Sequence, residues 1–234
     1  MIDALKIATE DLYQTFSKYH LPSSMSGCPC CVSETDVSTL HSKPLRLLSG
    51  EDISRYAWKA MTTWGSVDDF RYYLPRLLEL ASTGGWDIDN SVILGKLSYG
   101  NWKSWAISEQ ENISNFLKSW WEYEINFIPY FNPDLLLDLL VHINDLELML
   151  GCWKLESNSL GFRNFIDLIE DNYWDINQEN RKFKILTRPQ LNLFLEWINS
   201  NSTLLEKAFF EFEKTNAALS TRISNCLDMI DSKI

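Results

Sequence analysis

An all-α fold follows from three features of the 234-residue sequence. Apolar residues recur at spacings of three and four through most of it. Ser, Thr or Asn stands repeatedly just ahead of such a run, often with an acidic residue three positions on. Pro, Gly and Asn punctuate the gaps. The expected architecture is an irregular helical bundle or a short HEAT-like stack of αα-hairpins, with a cysteine-containing loop near the N-terminus. A single domain over 1–234 is expected, since this length supports one sizeable core. No residue-level repeat has a fixed period, so the HEAT-like stack rests on the pairing of hairpins.

The first helix spans 3–18, where Leu5, Ala8, Leu12 and Phe16 share a face. Leu21-Pro22 stops it, and a Cys-rich loop occupies 19–45; residues 35–48 are ambiguous, with room for one short helical turn before Pro44. The stretch 48–80 organises the chain. Ser49 with Asp52 starts one helix, Ser66 with Asp69 starts another, and Trp64-Gly65 joins them as an αα-hairpin. Pro75 either kinks the second helix or begins a new one. Asn90 or Ser91 caps a shorter helix to Leu97. Ser108 with Glu111 reads as a capping box for a helix at 109–126. Asn132 precedes Pro133, which suits the first helical position, and that helix runs to His142. Further helices are expected at 144–154, 160–171, from Thr187 through Ile198, and over 202–231. Residues 172–186 are polar and lack a clear period; they form a possible insertion or boundary, with Phe183, Ile185 and Leu186 as loop anchors or a short strand.

The composition narrows the function. Hydrophobic residues make up 45% and aromatics 13%, which excludes a disordered chain. Ten tryptophans, at 58, 64, 86, 102, 105, 120, 121, 153, 174 and 197, are spread as packing residues are rather than gathered into one ligand platform. Net charge is −11, with ten basic against fourteen acidic residues over 1–117 and eleven against eighteen over 118–234. Neither half carries a basic footprint for phosphates, so nucleic acid is disfavoured, as is an anionic membrane. No signal peptide or stretch of 18 apolar residues is visible. A cytoplasmic location is expected, with the five cysteines as thiols or ligands rather than a disulfide framework.

The sharpest chemical feature is Gly27-Cys28-Pro29-Cys30-Cys31. Cys28 and Cys31 have CxxC spacing, which supplies two of the four tetrahedral ligands that zinc takes. The expected structural zinc site is Cys28 and Cys31 with His20, His41 or both, and Cys30 as a substitute; chelation by all three cysteines is expected to be strained. A redox thiol pair is the second reading and ordinary loop cysteines the bland one. Cys152 and Cys226 fall in apolar helices and read as core. Asp138 and His142 lie four apart on one helical face, where a helix-end histidine is the simpler reading than a catalytic pair. Asp68-Asp69 reads as a first-turn charge pair, with Arg71 within reach. No P-loop, GxGxxG, GxSxG or HExxH motif occurs.

The segments GCPCCVSETD (27–36), KPLRLLSGEDISRYAWKAMTTWG (43–65) and DDFRYYLPRLLEL (68–80) resemble an uncharacterised bacterial protein family over residues 20–85. The resemblance implies a bacterial cytoplasmic protein and carries no activity or ligand. The residues point to a non-enzymatic protein-interaction domain, immunity-like in its acidity, with a protein partner. The alternative is a metal-dependent or small-molecule-processing enzyme with a Trp- and carboxylate-lined pocket.

Overall fold

The computed structural model describes residues 3–178 and 181–232, and among these the protein is all-α with no strand. The helices are α1 Asp3–Phe16, α2 Glu34–Leu40, α3 Gly50–Lys59, α4 Val67–Thr83, α5 Asn90–Tyr99, α6 Ile107–Phe127, α7 Pro133–Ile143, α8 Leu146–Gly151, α9 Leu160–Asn177, α10 Arg188–Ser200, α11 Ser202–Phe212 and α12 Ala217–Asp231. Short 3-10 turns occupy Leu45–Leu47, Trp102–Ser104 and Arg181–Phe183. Contacts divide the chain into two compact units, Met1–Trp120 and Trp121–Ile234.

Local chemistry sets most helix starts. Ser33 with Asp36, Ser49 with Asp52 and Ser66 with Asp69 each close a reciprocal capping box. The side chain of Asn132 accepts from the amides of Asp134 and Leu135, both at 3.1 Å, and Pro133 takes the first helical position. α4 continues through Pro75 and stops at Gly84, whose φ of 66° is the left-handed conformation glycine adopts without strain.

In the first unit, α4 packs on α1, α3 and α5. Leu5, Leu12, Phe16, Tyr56, Phe70 and Leu77 are among the side chains that fill its core. Glu109 is 1% exposed yet fully engaged: Lys18 pairs with it at 2.8 Å and the Tyr19 hydroxyl donates to it at 2.6 Å. Burial raises its pKa, but Lys18, Tyr19 and Arg71 outweigh burial and hold the carboxyl below its ordinary value.

Within the second unit, α9 packs on α10 and α12, and α11 pairs with α12. Asn164, wholly buried, donates to the carbonyls of Ile125 and Ile128 at 2.8 Å each, satisfying carbonyls at the end of α6. Arg222 on α12 reaches Asp167 at 2.6 Å and Glu170 on α9. Gly161 opens α9 where a Cβ would collide with the Lys154 carbonyl and the Asn126 side chain.

Three expectations are corrected. α3 ends at Lys59, short of Trp64, because residues 60–65 form an irregular link: Met61 has φ 63°, Gly65 has φ 76°, and buried Lys96 donates to the Ala60 carbonyl at 2.8 Å. α6 begins at Ile107, one residue before Ser108, and Glu109 rather than Glu111 reaches back, accepting from the Ala106 amide at 3.2 Å. α9 runs past 171 to Asn177; within 172–186, residues 179–180 lie outside the described residues. Phe183 and Leu186 are buried anchors, whereas Ile185 is exposed.

Candidate metal centre

Pro29 builds the cysteine loop. Its fixed φ suits the second position of a β-turn, and the turn closes with the Cys31 amide donating to the Cys28 carbonyl at 2.8 Å and the Val32 amide at 3.0 Å. The loop is laid onto the link between α3 and α4. The Cys28 amide donates to the Thr63 carbonyl at 2.9 Å, the Gly65 amide donates to the Ser26 carbonyl at 2.7 Å, and Gly27 forms an antiparallel bridge with Trp64. From α3, Lys59 and Arg55 both donate to the Cys31 carbonyl, Arg55 at 3.3 Å. Arg55 also pairs with Asp36 at the start of α2, at 2.8 Å. The trajectory of residues 26–32 is therefore fixed by backbone hydrogen bonds and two cationic side chains.

The turn gathers three sulfurs. Those of Cys28, Cys30 and Cys31 all lie within 4.8 Å of one another. Cys28 and Cys30 are 2.9 Å apart, and Cys30 and Cys31 3.7 Å. Cys30 is exposed and the other two half-buried. The Cys30 side chain, then the Cys30 amide and the side chain and amide of Cys31, lower the Cys28 pKa to about 7. The same contact raises Cys30 to about 11, because its proton is held by Cys28. Amide donors aimed at a cysteine sulfur stabilise a thiolate, the form that ligates metal.

The gathering of all three cysteines departs from the expected strain at CxC spacing; the turn at Pro29 folds Cys30 back beside Cys28. Neither predicted histidine joins the sulfur group within that distance. His20 is exposed and lines a separate cleft of about 550 Å³ with Glu10, Tyr13, Tyr19 and Arg46. His41 is the C-cap residue of α2, and its Nε2 is buried without a hydrogen-bond partner.

A tetrahedral zinc with Zn–S bonds of about 2.3 Å sets sulfurs roughly 3.8 Å apart. The Cys30–Cys31 separation of 3.7 Å already matches, and the Cys28–Cys30 pair would open on binding. Three thiolates leave a fourth position for water, a histidine brought closer or an outside ligand.

The other candidate groups stand elsewhere. Cys226 is buried, its thiol directed at the Ile166 carbonyl at 3.8 Å, and burial pushes its pKa up to about 12. Cys152 is half-buried and donates to the Leu148 carbonyl at 3.3 Å. His142 is buried in the last turn of α7, with Asp138 half-buried one turn before it. Asp68 pairs with Arg71 at 2.8 Å. Six of the ten tryptophans, at 64, 102, 105, 120, 121 and 153, are buried.

Sequence reasoning missed Arg55, Lys59 and Thr63 as the platform of the loop. The available signal is a pair of basic residues four apart on α3, the second helix after the cysteines. It also missed Trp58, which α3 leaves 58% exposed. Comparison with known protein families, with curated proteins and with solved structures finds no match to this chain.

Proposed function

We infer that this protein is a non-enzymatic interaction domain whose N-terminal loop is clasped by a thiolate-bound metal ion, zinc first among the candidates. The single observation that carries the reading is the meeting of the Cys28, Cys30 and Cys31 sulfurs within 4.8 Å on a loop that backbone bonds already hold in place. Zinc suits this donor set, since thiolates are its commonest ligands in structural sites. Its role is to fix the exposed face made by the loop and α2 and α3, which a protein partner reads. The net charge of −11 favours a basic partner, as in an immunity-like neutralisation. A cytoplasmic setting keeps such thiols reduced and competent. Among the described residues no helix is long and apolar enough to cross a membrane.

The alternative, a small-molecule enzyme with a Trp- and carboxylate-lined pocket, is favoured by a cleft carrying Trp58, Trp86, Glu51 and Asp87. It is the weaker reading, because such a cleft offers binding groups without an evident nucleophile or base–orienter pair.

Titration of the reduced protein with cobalt(II) tests the metal reading. Expected is a saturable thiolate-to-cobalt charge-transfer band at one equivalent, displaced by zinc and lost in Cys28→Ser. A cobalt spectrum without thiolate bands, or one unchanged in Cys28→Ser, contradicts it.

A further inference from the structure

Trp58 and Trp86 belong to a feature independent of the cysteines. The C-terminal end of α4 and the segment 84–88 close over the first turns of α3, leaving a cleft of about 630 Å³ lined by Trp58, Trp86, Glu51, Asp87, Ser54 and Ile88. Glycine makes the approach close. A Cβ at Gly50 would collide with the Gly85 carbonyl and with Trp86, so the 85–86 backbone lies directly on α3. Gly84, at φ 66°, turns the chain there.

The charged side chains that line the cleft, Glu51 and Asp87, are both acidic. Glu51 and Asp87 are exposed, and among the described residues neither takes part in an ion pair. The cations on and just before α3 are engaged elsewhere: Lys43 with Asp52 at 2.7 Å, Arg55 with Asp36 at 2.8 Å, and Lys59 with the Cys31 carbonyl. The carbonyl end of α4, a helix of 17 residues, adds negative potential. The opposite dipole end of α3 is answered by Glu51 and Asp52 in its own first turn. Trp58, 58% exposed, lines the same cleft with much of its apolar ring in water.

An exposed indole beside unpaired carboxylates is suited to an organic cation, because the ring face attracts positive charge and the carboxylates add attraction at longer range. The choice among cations follows from hydration. A primary ammonium is a compact, strongly hydrated charge that seeks direct hydrogen bonds. A quaternary ammonium has no N–H to satisfy and gives up its water more cheaply, so ring faces and distant carboxylates suffice. We propose that the cleft between Trp58 and Trp86 binds a trimethylammonium group, with Glu51 and Asp87 supplying the counter-charge. The group arrives either on a small solute or on a trimethylated lysine side chain.

The test is indole NMR of the full chain labelled at the tryptophan Nε1, titrated with choline, with its neutral isostere 3,3-dimethyl-1-butanol, and with trimethyllysine amide. Choline is expected to move the Trp58 and Trp86 signals saturably and leave the buried indoles in place. The neutral isostere should bind about tenfold more weakly, or not at all, because it lacks the charge that the rings attract. Trp58→Ala should abolish the response, and its unaltered buried indole signals would report that the fold persists. The double variant Glu51→Gln/Asp87→Asn, which keeps both rings, should weaken choline about five- to tenfold. Tighter binding of choline than of trimethyllysine amide assigns the group to a solute, and the reverse order to a modified side chain. An absent or unsaturable choline response, equal binding of the neutral isostere, or an unchanged response in Trp58→Ala overturns the proposal.

Discussion

At Cys28 one side chain's ionisation is set by its neighbours. The Cys30 side chain, then the Cys30 amide and the side chain and amide of Cys31, lower its pKa to about 7, while Cys30 itself rises to about 11. The thiolate is therefore present at neutral pH and is lost as pH falls through about 7. Alkylation of the metal-free, reduced protein should show a fast phase, assigned to Cys28, whose rate rises through about pH 7. Cys30→Ala should shift that phase toward the ordinary thiol range, because it removes the side chain that contributes most to lowering Cys28. Stopped-flow alkylation across pH, with mass spectrometry to place the adduct, checks this; a fast phase that stays in Cys28→Ser contradicts it. CxxC made Cys28 and Cys31 legible in the sequence. CxC spacing by itself points to strain at Cys30, whereas the turn through Pro29 brings its sulfur back to 2.9 Å from that of Cys28. His20 and His41 are close to the cysteines along the chain, whereas the structure places His20 in another cleft and His41 at the end of α2.

Helix starts are the most local feature of the protein, and they were the most readable. Ser49–Asp52 and Ser66–Asp69 satisfy the first amides of α3 and α4 using residues only three apart. Ser66→Ala removes the acceptor of the Asp69 amide at 3.2 Å and a hydroxyl that donates to the Asp69 carboxylate at 2.8 Å. It should destabilise the protein by about 1 kcal/mol, read as a lower denaturation midpoint with unchanged slope. No change in midpoint would show that this cap contributes nothing. Helix ends and links were less readable because their causes lie far away in sequence. α3 stops at Lys59 where Lys96 takes the Ala60 carbonyl, and Thr63 and Gly65 bond back to Cys28 and Ser26. Periodicity could not register those partners. Likewise α9 carries on to Asn177 through a polar stretch, since Asn172, Tyr173 and Ile176 still find burial.

Across the whole molecule, the apolar periodicity read from the sequence becomes helices with buried faces, and six of the tryptophans enter the interior as packing residues. The division at 120/121 was not legible, because it falls inside the unbroken helix α6 rather than at a Gly- or Pro-rich link. The acidic excess is shared by both halves of the sequence. The cysteine loop is held by two cations, Arg55 and Lys59, which both donate to the Cys31 carbonyl. The central claim is that this loop is a metal site. The most direct measurement is the metal content of the protein purified without chelator or affinity nickel, taken together with a count of reactive thiols. The account predicts one zinc per chain, with the thiols of Cys28, Cys30 and Cys31 shielded until a chelator is added. A metal-free protein whose three loop thiols react at once, and which takes up no zinc when zinc is supplied, would contradict it.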